Sequence, residues 1–79
     1  ESLLVKVNHD MISIQSPTLL SDPIHFVMCN TIGQVLKTGS LYILPQGEIV
    51  IKNWPEGIYF LYFRFKKEHR VIKIMKQAK

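Results

Sequence analysis

The sequence predicts an all-β protein, a compact antiparallel β-sandwich, and three observations lead there. Apolar residues recur mostly at period two, with β-branched and aromatic types dominating the runs, and no window of about 11 residues or more holds a 3.6 period. Seven or eight such runs are separated by Gly, Pro, Asn and Asp turn signals at roughly ten-residue spacing. The chain has 79 residues, 47% hydrophobic and 20% charged, so it is too apolar for a disordered segment and short enough for one domain, residues 1–79. Alternation tells which residues share a face but not how the sheets close, so a small closed barrel is the second choice.

The elements follow in order. Leu3, Val5 and Val7 alternate with Leu4 and Lys6 as a first strand, and Asn8-His9-Asp10 supplies turn chemistry before a strand from Met11 to Gln15. Pro17 and Pro23 bracket Leu19-Leu20 and argue against a central strand there, which leaves a loop anchored by two leucines. From Ile24 to Asn30 both alternating sets are largely apolar, as in a strand shielded on both sides, with His25 the exception. Thr31-Ile32-Gly33 makes a tight turn, a strand resumes from Gln34 to Thr38, and Gly39-Ser40 closes that unit. Residues 41–44 and 48–52, joined by Pro45-Gln46-Gly47, read as a second hairpin.

Asn53-Trp54-Pro55-Glu56-Gly57 is a turn with an aromatic plug, and it introduces the most hydrophobic strand, Ile58 to Phe65. Tyr59, Leu61, Phe63 and Phe65 share one face of it; Ile58, Phe60, Tyr62 and Arg64 share the other, which places this strand centrally. Lys66-Lys67-Glu68 is a charged turn, His69 to Met75 is the last strand, and Lys76 to Lys79 reads as a frayed basic tail.

The inventory for catalysis is thin. Six acids and three histidines are present, and the one Cys/His pair close in sequence, His25 and Cys29, lies about 13 Å apart along an extended strand, so the two cannot hydrogen-bond within it. Cys29 is the only cysteine; it forms no intrachain disulfide and reads as a small buried hydrophobe. His9, His25 and His69 lack the spacing of a metal site, and the four glycines are isolated turn residues rather than a phosphate-cradling loop. The expectation is a non-enzymatic domain with no cofactor or metal. No apolar run approaches the ~18 residues of a membrane span, nothing near Glu1 has the order of a signal peptide, and the chain reads as a domain excised from a longer protein.

The formal charge of +4 is unevenly placed. Residues 64–79 hold Arg64, Lys66, Lys67, Arg70, Lys73, Lys76 and Lys79 against Glu68 alone. Residues 1–63 hold Lys6, Lys37 and Lys52 against Glu1, Asp10, Asp22, Glu48 and Glu56. Basicity therefore belongs to the last hairpin and tail, where it can meet phosphates, with Tyr62 able to stack on a base, or line an edge strand against aggregation.

Four segments, taken in order, resemble the C-terminal sorting (signal) domain of the type IX, or Por, secretion system. They are the early strand Met11-Ile12-Ser13-Ile14; Cys29-Asn30-Thr31-Ile32-Gly33-Gln34-Val35, similar to a strand, turn and strand motif; Trp54-Pro55-Glu56-Gly57-Ile58-Tyr59, similar to a Leu-Pro-x-Gly-Ile-Tyr box; and Lys73-Ile74-Met75-Lys76-Gln77, similar to a terminal Lys-Ile-Val-Lys-Gln ending. The resemblance spans about residues 5–77, and the specificity lies in order, spacing and terminal position rather than in any one box. It implies an Ig-like sandwich of about seven strands that acts as a signal. Such a domain is exported to the periplasm and recognised by the outer-membrane translocon and a surface sortase. The sortase usually removes it and joins the parent protein, which lies N-terminal to Glu1, to anionic lipopolysaccharide at the cell surface. Carried over by position, the recognition residues are Gly33 and Gln34, then Gly57, Ile58 and Tyr59, then Lys73, Lys76 and Gln77, with the last three the expected contacts.

Three departures point to an alternative in which the domain stays attached to a secretion or lipopolysaccharide-attachment component: Val7-Asn8-His9-Asp10 stands where the family has an Asn-Pro box, Cys29 fills an aromatic position, and Trp54 replaces leucine. Alternatives of other classes are a small basic β-domain binding nucleic acid through residues 64–79, ranked below the signal, and an accessory Ig-like module beside a catalytic domain. Edge strands near Leu3 and Val71 offer a strand-paired dimer to isolated copies.

Overall fold

Period-two alternation buries one face of each strand, and two such faces closing on one another make the fold. The computed structural model describes residues 3–16, 22–42 and 46–77. They form β1 (Leu4–Val7), β2 (Met11–Gln15), β3 (Ile24–Asn30), β4 (Val35–Leu41), β5 (Gln46–Val50), β6 (Gly57–Phe65) and β7 (Glu68–Lys76). Two antiparallel sheets result, ordered β1-β2-β5 and β4-β3-β6-β7. Pairing of the second strand with the fifth and the third with the sixth is the order of an Ig-like Greek-key sandwich, with the fourth strand on the larger sheet.

The core lies between the sheets. Ile12, Ile14, Ile49 and Ile51 come from the smaller one and face Ile24, Phe26, Met28, Leu61, Phe63, Phe65 and Ile74 of the larger. Each fully buried aliphatic here contributes about 1.5–3 kcal/mol. β6, flanked by β3 and β7, supplies its inward set Tyr59, Leu61, Phe63 and Phe65 as expected. A bulge between Met28 and Cys29 shifts the β3–β4 register, and both residues are buried. The thiol is thus a packed group, while His25 is exposed and shares a hydrogen bond with Ser40 Oγ (2.9 Å).

Three expectations are corrected. The second hairpin is not seen among the described residues: β5 pairs with β2 within the smaller sheet and not with β4, while residues 43–45 of the expected hairpin lie outside the described residues. A proline and a glycine mark a reversal but not the partner, and β5 has a better one in the Ile12/Ile14 strand. Gly39 and Ser40 do not end a strand but lie within β4. A Cβ on Gly39 would stand 3.0 Å from the Phe26 ring, so the glycine admits the neighbouring aromatic instead of breaking the strand. Lys76 is not in a frayed tail; it is the last residue of β7, opposite Gly57, and 8% exposed. The Leu19-Leu20 loop and residues 78–79 lie outside the described residues.

Candidate functional site

The direction of each strand decides which loops meet. β3 ends, β4 begins, β6 begins and β7 ends at one pole of the larger sheet, with Asn30, Tyr59 and Ile74 in one cross-strand row and Gly57 beside Lys76. The β1–β2 turn reaches the same pole, since Val7, Asn8 and His9 line a cleft with Met75 and Gln77. The loop before β6 joins it through Ile51 N–H, which donates to Asp10 O (2.8 Å). Segments near residues 11, 30–34, 54–59 and 73–77, dispersed in sequence, are therefore gathered at one end of the molecule.

Most of the carried-over residues are occupied with holding that end together. Asn30 Oδ1 accepts from Ile32 N–H (3.2 Å) and Gln34 N–H (2.9 Å), and Asn30 Nδ2 donates to Gln34 Oε1 (3.0 Å). Gly33 sits at φ 83, the left-handed region that costs a side chain about 1–2 kcal/mol. Asn30, Gly33 and Gln34 are thus the turn itself. Replacing Asn30 with alanine is expected to lower stability by about 1–2 kcal/mol, from three hydrogen bonds lost in a partly solvated turn. An unchanged urea midpoint would mean that Gly33 alone sets the turn.

The second box is an Ig-type tyrosine corner. Tyr59, near the start of β6, donates its hydroxyl to Pro55 O (2.6 Å), four residues upstream, and its ring lies 5.2 Å from that of Trp54. Gly57, at φ 156, lets the chain leave this corner and enter β6 through a backbone region that side chains avoid. Lys76 packs its aliphatic stem on the inward side next to Ile74, and its ammonium is not among the buried unpaired polar atoms, so it keeps contact with water.

What this leaves for a partner is a small outward patch. Lys73 and Gln77 are exposed, Ile58 and Met75 stand opposite one another on the outer face with Met75 60% exposed, and Ile32 at the tip of the β3–β4 turn is 83% exposed. Among the described residues no strand pairs with the outer side of β7, which leaves that edge beside these groups. Met75 and Ile32 were legible as candidates: one alternates with buried Ile74, and the other is a hydrophobe inside a turn. Asn30 was legible too, because its amide can close a turn on Gln34.

The basic residues of 64–79 do not all share this site. β6 and β7 each run nine residues, so Lys66 and Lys67 in their connecting turn stand about 30 Å from Lys76. Arg70 is engaged between sheets: its Nη1 donates to Leu3 O (3.1 Å) and its guanidinium lies 5.4 Å over Phe63. No protein-family model matches the chain, and no curated protein matches it.

Proposed function

We propose that the domain is a non-catalytic C-terminal secretion signal, read as a folded unit by the type IX outer-membrane translocon and its surface sortase. The observation that carries this reading is the convergence on one pole of three motif-like segments and the Met11 end of the fourth, where a single partner can read them together. The turn and corner residues shape that pole; Lys73, Gln77, Ile58 and Met75 are the groups offered to a partner, and the open edge of β7 suits strand addition, in which backbone bonds supply affinity and flanking side chains supply choice. The reading places the parent protein in the periplasm first and then at the cell surface or outside the cell, with anionic lipopolysaccharide entering only through the attachment step.

Joining residues 1–79 to the C-terminus of an unrelated periplasmic reporter, in a bacterium that possesses the pathway, is expected to carry the reporter to the surface. A reporter that stays in the periplasm while the fused domain is folded would overturn the proposal.

A further inference from the structure

The pole opposite the motif segments carries a feature that the secretion reading does not use. Strand register sets His25 of β3 beside Arg64 of β6, and Arg64 beside His69 of β7, so three basic side chains form one row on the outer face of the larger sheet. Adjacent strands lie about 4.8 Å apart, which confines the row to about 10 Å. The β6–β7 turn adds Lys66 and Lys67, with Lys66 held at φ 56 and its ammonium 5.4 Å over Phe65.

Together these residues line a shallow depression of about 660 Å³ in which Asp22 is the sole acid among the described residues. Glu68 does not line this depression; it opens on a neighbouring cleft with Leu3 and Phe65, which Lys66 and Lys67 also border. Among the described residues no ion pair involves Arg64, Lys66, Lys67 or His69. His25 is oriented as well, because its Nδ1 shares a hydrogen bond of 2.9 Å with Ser40 Oγ.

Directly beside the row, Val27, Tyr62 and Val71 share one cross-strand rung and line an adjoining depression of about 290 Å³ that includes His25, Arg64 and His69. Tyr62 is 44% exposed there. A forked guanidinium flanked by imidazoles and ammonium groups suits a tetrahedral oxyanion, and a neighbouring apolar shelf suits a carbon group attached to it. We infer that this pole binds a phosphate monoester, its phosphoryl group on Arg64, His25 and His69 and its organic part on Tyr62 and Val71. The inference stands apart from the secretion reading. A nucleic acid strand fits less well, because the remaining cations do not continue the row: Lys73 lies toward the other pole and Lys37 on β4.

The test is an amide chemical-shift titration of the 79-residue chain with inorganic phosphate and with phenyl phosphate. Saturable shifts centred on His25, Arg64, Lys66, Lys67 and His69 are expected. Phenyl phosphate should bind about fivefold tighter than inorganic phosphate through its ring on Tyr62. Arg64→Gln should weaken binding at least about tenfold, the scale of one lost charge-assisted hydrogen bond; Lys67→Gln serves if that variant does not fold, and Lys37→Gln should change nothing. Phosphatidylcholine vesicles with and without phosphatidic acid identify the source. Capture only with phosphatidic acid, released by phenyl phosphate, names a lipid headgroup; saturable phenyl phosphate binding without vesicle capture names a soluble ester, and either supports the site. Non-saturating shifts spread over Lys6, Lys37 and Lys52, or an unaffected Arg64→Gln variant, would overturn it. So would tighter binding of single-stranded oligothymidylate with a footprint reaching Lys37 and Lys73.

Discussion

Replacing Tyr59 with alanine is expected to unfold the domain, and replacing it with phenylalanine to cost about 1–3 kcal/mol. The two substitutions separate two contributions of one side chain. Its ring is buried at the corner between β5 and β6 against Trp54, and truncating a buried aromatic to alanine costs about 3–5 kcal/mol. At about 0.05–0.15 kcal/mol per residue, a 79-residue domain has roughly 4–12 kcal/mol in total, so the alanine variant removes much or all of it. Phenylalanine keeps the ring and deletes only the hydroxyl that donates to Pro55 O, leaving a part-buried carbonyl without its partner. Urea unfolding followed by fluorescence is a local reporter here, because Trp54 is the only tryptophan and sits 5.2 Å from the substituted ring. If the phenylalanine variant melts with wild-type stability, the hydroxyl is not a structural clamp and is available for recognition. If it melts early yet still exports a reporter under folding conditions, Tyr59 belongs to the fold alone.

That corner illustrates why so much of the fold was legible in the sequence. Strand faces follow from period-two alternation, so the two faces of β6 and of β7 up to Met75 were readable residue by residue, whereas β3, read as shielded on both sides, exposes His25; the Asn8 turn is closed, as its residue types suggest, by Asn8 Oδ1 accepting from Asp10 N–H and Met11 N–H. Pairing was less legible. Pro45-Gln46-Gly47 looks like a local reversal because turn chemistry is local, whereas the partner of β5 is decided by burial of Ile49 against a strand more than thirty residues earlier. Gly39 misled for a related reason: nothing near it in sequence reports that the Phe26 ring approaches from the adjacent strand.

Legibility of the candidate site divides along the same line. The segments at 30–34, 54–59 and 73–77 could be singled out from sequence, but their convergence depends on strand direction in a sheet whose order sequence alone leaves open. Residue roles within them were partly misassigned. A lysine two residues after a buried isoleucine on a strand faces inward, so Lys76 lines up with Ile72 and Ile74 rather than with Lys73, and its last position in β7 lets a long stem lie on apolar surface while the charge reaches water. The block of basic residues at 64–79 likewise read as one patch. Antiparallel folding of β6 on β7 sends its members to two poles and engages Arg70 between the sheets.

Those assignments change what a C-terminal deletion measures. A chain ending at Ile72 is expected to lose cooperative folding, because it discards Ile74, 1% exposed in the core, and strips the first half of β6 of its paired neighbour. Loss of the isoleucine side chain alone costs about 2–5 kcal/mol, and the vacated β6 edge leaves backbone groups from Gly57 to Phe60 without their ladder. Failure of such a chain to reach the cell surface therefore reports unfolding and says nothing about recognition. The informative variant is Lys73→Glu with Gln77→Ala, which alters two exposed side chains and removes no core contact; surface substitutions of this kind change stability by about 0.5 kcal/mol or less. Its urea midpoint should stay near that of the parent domain while delivery of a fused reporter falls about tenfold or more, equivalent to 1.4 kcal/mol or more of lost recognition. Normal delivery by the folded double variant would remove Lys73 and Gln77 from the interface and leave Ile58, Met75 and Ile32 as the groups to vary next. Normal delivery by the chain ending at Ile72 would be the more damaging result, because it would detach export from the folded pole altogether.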